Sequence, residues 1–160
     1  MANEDRLTRK ALLEFIRGGN AHASVEDAVK DFPAAQYAKK PQGAPHNAWQ
    51  LMEHIRITLR DLLDFCRNPE YRAPKWPEGY WPKNDAPATD QEWNGSVKRL
   101  LADLRDFETM VEDPTVDLNA KIPWGDGQTI LREILLAGDH TSYHVGQLVM
   151  LRKQLGAWKG

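Results

Sequence analysis

A single cysteine, Cys66, is all that 160 residues contain, which excludes an internal disulfide and fits a reducing compartment. Neither sign of charge dominates: 21 Lys and Arg stand against 23 Asp and Glu, for a net charge of −2 at pH 7. A nucleic-acid backbone needs a concentrated basic surface, and Lys39-Lys40 is too short to make one, so no nucleic-acid partner is expected. Long hydrophobic runs are missing too. None approaches the roughly 18–20 apolar residues that cross a bilayer, and the opening MANEDRLTRK lacks a signal-peptide pattern. The expectation is a soluble, cytoplasmic protein without a membrane partner. Also absent are a glycine-rich phosphate loop, a nucleophile elbow, a dinucleotide fingerprint, internal repeats and low-complexity tracts. No segment reads convincingly as a sheet strand.

What is present is helical periodicity. The length suits one domain, 1–160, with a single sizeable core. RLTRKALLEFIRGG places Leu7, Leu12, Phe15 and Ile16 at helical spacing and stops at Gly-Gly. SVEDAVKDFP reads as a short helix, capped by Ser24 and ended before Pro33. APHNAWQLMEHIRITLRDLLDFCRNP is a long helix with Pro45 in its first turn and Pro69 past its end. TDQEWNGSVKRLLADLRDFETMVEDP opens on a capping box, Thr89 and Glu92, and runs about six turns. A connector, TVDLNAKIPWGDGQ, has room for a short extended piece, and a last helix starts near Thr129 and ends near Gly156. Four long helices and one short helix predict an all-α antiparallel four-helix bundle.

Ten prolines and six tryptophans stand out against this background, the latter at positions 49, 76, 81, 93, 124 and 158. The Trp/Pro-rich loop YRAPKWPEGYWPKNDAPA exceeds the about 12–15 residues usual for a structureless connection. Its rings, Trp76, Tyr80 and Trp81, predict an ordered lid. For the tryptophans as a group, locking loops onto the helical body is the first reading and walling a pocket the second.

The chemistry-bearing residues are histidines. DHTSYHVGQLVMLRKQLG sets His140 and His144 four apart, one above the other on a helix. At about 100° per residue, Glu133, Leu136, His144, Gln147 and Leu151 all lie within roughly 40° of His140, so the pair occupies an inward stripe. Five histidines produce such a spacing by accident in roughly one sequence in eight, so the spacing alone is weak. A third residue strengthens it. His54 shares the inward face of its helix with Asn47, Leu51, Thr58, Leu62 and Phe65, and facing helices of a bundle build metal sites from such positions. Three buried imidazoles without a carboxylate among them are costly unless hydrogen-bonded or metal-bound. Two readings therefore stand: core histidines satisfied by carbonyls, a tyrosine or water, or three nitrogen ligands that leave further positions on a divalent ion open. Gln147 and Tyr143 are the candidates for supporting the site, the first by orienting a ligand or a bound water, the second by a hydrogen bond at its edge. His22, in a loop, and His46, in a first helical turn, read as structural or solvent-facing. HTSYH lacks the glutamate of a His-Glu-x-x-His peptidase. Cys66 sits about 120° round from His54, a poor position for a ligand or nucleophile. Glu133, about 10 Å along the helix from His140, is expected to pair with an arginine.

PHNAWQLMEHI followed by DHTSYHVGQLVMLRKQLG, with WPEGYWP and GQTILREIL between them, resembles the DinB/YfiT-like superfamily of small helical metalloproteins. The resemblance runs from about Pro45 to Trp158. It implies an up-down-down-up four-helix bundle and a three-histidine site, His54, His140 and His144, for nickel, zinc or a similar divalent ion. It also implies a metal-dependent enzyme acting on a small-molecule substrate, by analogy with members that are S-transferases or isomerases using a low-molecular-weight thiol. A metal-dependent hydrolase is the alternative enzyme, and a non-enzymatic metal-binding protein of the stress response is the alternative outside catalysis. The last helix is apolar on a second face as well, through Leu131, Ile134, Leu135, Val145 and Val149 with Gly138 and Ser142. Either this helix is the most enclosed of the bundle, or that face meets the partner in a homodimer.

Overall fold

The structure, a computed structural model, describes residues 3–159; Met1, Ala2 and Gly160, the outer ends of the expected 1–160 domain, lie outside the described residues. The helices are α1 (Asn3–Arg17), α2 (Val25–Val29), α3 (Ala48–Arg67), α4 (Asp90–Glu112) and α5 (Ile130–Gln154), with 3-10 turns at Ala34–Gln36 and Glu78–Tyr80. Among the described residues there is no strand. The extended piece of the last connector is one antiparallel bridge, Lys121 to Thr129.

Side-chain caps set the helix starts. Ser24 and Asp27 exchange both bonds of a capping box at α2, which ends at Val29, earlier than expected: Lys30 leaves the helical backbone (ψ 134°) and Asp31 follows in a left-handed one (φ 49°). Asn47, and not Pro45, opens α3: it accepts the Gln50 N–H while the Gln50 side chain takes the Asn47 N–H. Pro45 and His46 therefore precede the helix, which corrects their expected place in its first turn. Thr89 caps α4 as expected, but the Glu92 carboxylate reaches the Ala88 N–H instead of closing the box on Thr89. Thr129 caps α5 through the Arg132 N–H.

Both α1 and α3 pack against α4 and α5, so they face each other across the bundle. The centre is filled by Met52, Ile55, Leu59 and Leu63 of α3, Leu100 and Phe107 of α4, and Ile134 and Leu148 of α5. Each such side chain contributes about 1.5–3 kcal/mol through burial. Trp49 and Trp93 meet near the starts of α3 and α4, and Arg67 reaches Asp106 farther along, so these two helices run the same way. The chain must then return the length of α3, about 30 Å, before α4 begins. That requirement accounts for the long Trp/Pro loop.

The second apolar face of α5 is covered within the chain. Ile134 and Val145 are buried, and Phe15 of α1 lies so close to Gly138 that a ring carbon stands 2.2 Å from where a Cβ would be. Of the two expectations for this face, an enclosed helix describes it, with Leu135 the part left open. Two buried arginines close helix ends: Arg9 donates to the carbonyls of Val111, Asp113 and Val116, and Arg152 to those of Asp27, Ala28, Lys30 and Ala157.

Candidate metal centre

Packing of α3 on α5 brings the three histidines together. One ring nitrogen from each of His54, His140 and His144 lies within 4.8 Å of the other two. The Nε2 atoms of His54 and His140 are 3.0 Å apart. His54 and His144 are buried, while His140 keeps partial access to solvent. Among the described residues no Asp, Glu or Cys joins this cluster.

The far nitrogens show which way the rings are fixed. His54 Nδ1 lies 2.7 Å from the Tyr80 carbonyl, which can only accept, so that nitrogen carries the proton and Nε2 carries the lone pair. His144 Nδ1 makes the corresponding bond to Gln147 Oε1 at 2.8 Å, and Nε2 is again left bare. His140 Nδ1 is buried without a partner. The bare Nε2 of His54 faces His140 Nε2 at 3.0 Å, so either His140 donates a proton to it or a cation lies between the two.

The loop between α3 and α4 holds this arrangement from outside. Trp81 stacks parallel on His54, with ring centres 4.0 Å apart and planes 3° from parallel, and His46 stacks on Trp81 at the same separation. The backbone of Tyr80 accepts from His54 while its hydroxyl donates to Asp61 Oδ2 at 2.9 Å. Tyr71 donates to the other Asp61 oxygen at 2.7 Å. Burial raises the Asp61 pKa, and the two phenol hydrogen bonds oppose that rise by favouring the carboxylate. Farther on, the Asn84 carbonyl accepts from Trp49, and Asp85 accepts from Asn47 and Gln50. The loop is thereby pinned to α3 from its cap, Asn47, as far as Asp61.

Burial sets the electrostatics. It pushes the His140 pKa down to about 3, helped by the neighbouring charges of His144 and His54 when these are protonated. Burial also lowers His54 and His144, against the opposing pull of the Tyr80 carbonyl and of Gln147 respectively. All three rings are neutral at pH 7 and offer lone pairs. Such a set fits a borderline divalent ion such as zinc or nickel. Two bonds of about 2.0–2.1 Å meeting at 90–110° put their nitrogens about 2.8–3.4 Å apart. The His54–His140 separation falls in that range.

The other sequence-based candidates fall as follows. Gln147 touches His144 directly. Tyr143 sets its ring edge-on to His144 at 4.8 Å, yet it is 64 % exposed and its hydroxyl makes no bond to the cluster, contrary to the expected hydrogen bond. His22 is exposed and turned to the adjacent Ala23 carbonyl. His46 is no ligand, but it braces Trp81 instead of facing solvent. Glu133 is fully buried and takes one bond from Arg132, with its second oxygen unpartnered. Cys66 is buried and its thiol is pushed up to about 12 by burial, beside Glu133. Asp61 was not foreseen. Its spacing of seven from His54, two helical turns along one face, was the available signal. The Tyr80 carbonyl left none, because any residue offers one.

An all-helical bundle whose three-histidine cluster is compatible with binding a divalent ion is the class that fold and site define. A family model described as the DinB superfamily matches residues 19–148, and the chain belongs to that superfamily. Searches of curated proteins and of solved structures each returned no match. Among the described residues, no helix is long and apolar enough to cross a membrane.

Proposed function

We propose that the protein is a metal-dependent enzyme that holds one divalent ion, nickel or zinc, through His54, His140 and His144. The reaction assigned to it is transfer between a small-molecule substrate and a low-molecular-weight thiol. The observation that carries the reading is the opposed fixing of His54 and His144. His54 spends its Nδ1 proton on the Tyr80 carbonyl and turns its bare Nε2 to within 3.0 Å of His140, while His144, with its Nδ1 proton on Gln147, sets a ring nitrogen within 4.8 Å of both. A divalent ion there would keep its full double charge, because no carboxylate offsets it, and would lower the pKa of a thiol or a water brought to it.

The chain's own residues supply position and dryness. Tyr80 and Gln147 hold two rings in register, and Trp81 and His46 close one side against water. His140, open in part to solvent, marks the side from which a substrate arrives. That opening favours an active site over an ion that only braces the bundle, since bracing sites are closed. No carboxylate stands in the cluster to act as a general base. The protein would be found in the cytoplasm, and as a homodimer would pair through the exposed Leu135 of α5.

The test is conjugation of an electrophile to bacillithiol, mycothiol or glutathione by untagged, ion-loaded protein. Turnover that disappears in His54→Ala supports the reading. If no thiol reacts while esters or amides are hydrolysed, the hydrolase reading replaces it. If neither reacts although the ion is bound, a non-enzymatic role in the stress response replaces both.

A further inference from the structure

A groove of about 190 Å³ runs between the segment before α3 and the last two turns of α5. Its walls include Ala44, Leu51, Met150 and Leu151, and no charged side chain lines it. It is continuous with the histidine cluster at two points. Gln147 lines the groove and accepts from His144; His46 lines it and stacks on Trp81, which stacks on His54. The acceptor oxygen of Gln147 is committed to His144, and its NH2 group takes no acceptor among the described residues. The trough is mostly apolar, with His46 and Gln154 its other polar side chains, and at the end nearest the ion site it presents the Gln147 donor.

We infer that this groove binds the neutral aliphatic part of the substrate, with a carbonyl or ether oxygen of the substrate accepting from Gln147. The inference rests on the proposed active site, since it places the reactive end of the substrate at the histidines. An apolar cavity of about 150 Å³ takes a benzene, so this groove suits a chain of about six to eight heavy atoms. A charged chain is excluded, because nothing in the lining would compensate its desolvation. The substrate is therefore a small uncharged aliphatic compound with a polar atom near its reacting end.

Straight-chain primary amides from butanamide to decanamide serve as probes. They are titrated into the protein as purified, followed by backbone amide NMR shifts, with ion content measured on the same sample. Affinity is expected to rise about fourfold per added methylene and to level off at about six to eight heavy atoms. The shifts should centre on Ala44, Leu51, Gln147 and Met150. Met150→Asp, at an exposed position, should weaken octanamide binding at least tenfold with an unchanged melting temperature; Ala44→Phe should do the same by filling the groove. Absence of chain-length dependence in protein that carries its ion overturns the groove and leaves the metal site standing. Chain-length dependence in protein that binds no ion supports the groove and overturns the metal reading. Shifts at these residues that follow protein concentration instead of amide would put a second copy in the groove and overturn the inference.

Discussion

Asp61 lies two turns from His54 and touches no other member of the cluster, yet replacing it should be felt at the ion. Its two oxygens take one phenol each, from Tyr71 at 2.7 Å and Tyr80 at 2.9 Å, and the Tyr80 carbonyl is what fixes the His54 ring. Asp61→Asn keeps the shape and removes the charge. A hydrogen bond to a charged group is roughly twice as strong as a neutral one, so each of the two loses about 1 kcal/mol. A combined loss of about 2 kcal/mol lowers the melting temperature of a chain this size by about 4–8 °C. Loosening the outer partner of a metal-binding histidine typically costs tenfold to a hundredfold in affinity, and Asp61 acts one step farther out, so about tenfold is expected. Competition titration with a chromophoric zinc chelator reads the affinity, and thermal melting of metal-free protein reads the stability. Lys83→Ala is the control: it alters the same loop at an exposed side chain and should change neither. If Asp61→Asn lowers the melting temperature while zinc affinity stays within twofold of the parent, the loop does not position His54 and the reasoning fails.

Acidification should destabilise the metal-free protein in a defined window. The three histidine pKa values are lowered on folding, so below pH 6.5 the unfolded chain binds more protons than the folded one. Their contribution is complete above pH 6.5 and is lost as pH falls towards about 3, the value of His140. Halving the ideal slope for the partial exposure of His140 leaves about 0.7 kcal/mol per pH unit from that ring. A urea midpoint that does not move between pH 7 and pH 5 contradicts this. Gly138→Ala forces the Phe15 ring outward and should cost about 1–3 kcal/mol, and an unchanged melting temperature would mean that α1 packs on α5 less closely than described. Gln147→Leu removes the acceptor of His144 Nδ1 and should weaken zinc binding about tenfold with little change in helix content, as circular dichroism would show.

The helices were legible because caps and apolar spacing are local properties. Ser24, Thr89 and Thr129 each mark a helix start that the chain uses, and His54, His140 and His144 share inward faces because helical geometry allows no other placement. Where two local signals competed, the stronger hydrogen-bond donor and acceptor set won. Pro45 suited a first turn, but the reciprocal bonds of Asn47 and Gln50 start α3 three residues later and free His46 to stack on Trp81. The long loop announced itself through length and tryptophan content, while its course depends on contacts between residues far apart in the chain. Tyr80 with His54 and Asp61, and Asn84 with Trp49, span 19 to 35 residues, beyond any periodicity. The second face of α5 shows the same limit. Its composition fits enclosure or a partner equally, and only the placement of Phe15 over Gly138 shows what covers it.

Ion content per chain, measured by elemental analysis on untagged protein purified without added metal or chelator, tests the central claim most directly when paired with the His140→Ala variant. About one nickel or zinc ion per parent chain and almost none in the variant are expected, with both folded by circular dichroism. A parent chain that carries no more ion than the variant, and takes up none on dialysis against nickel or zinc, would contradict that claim.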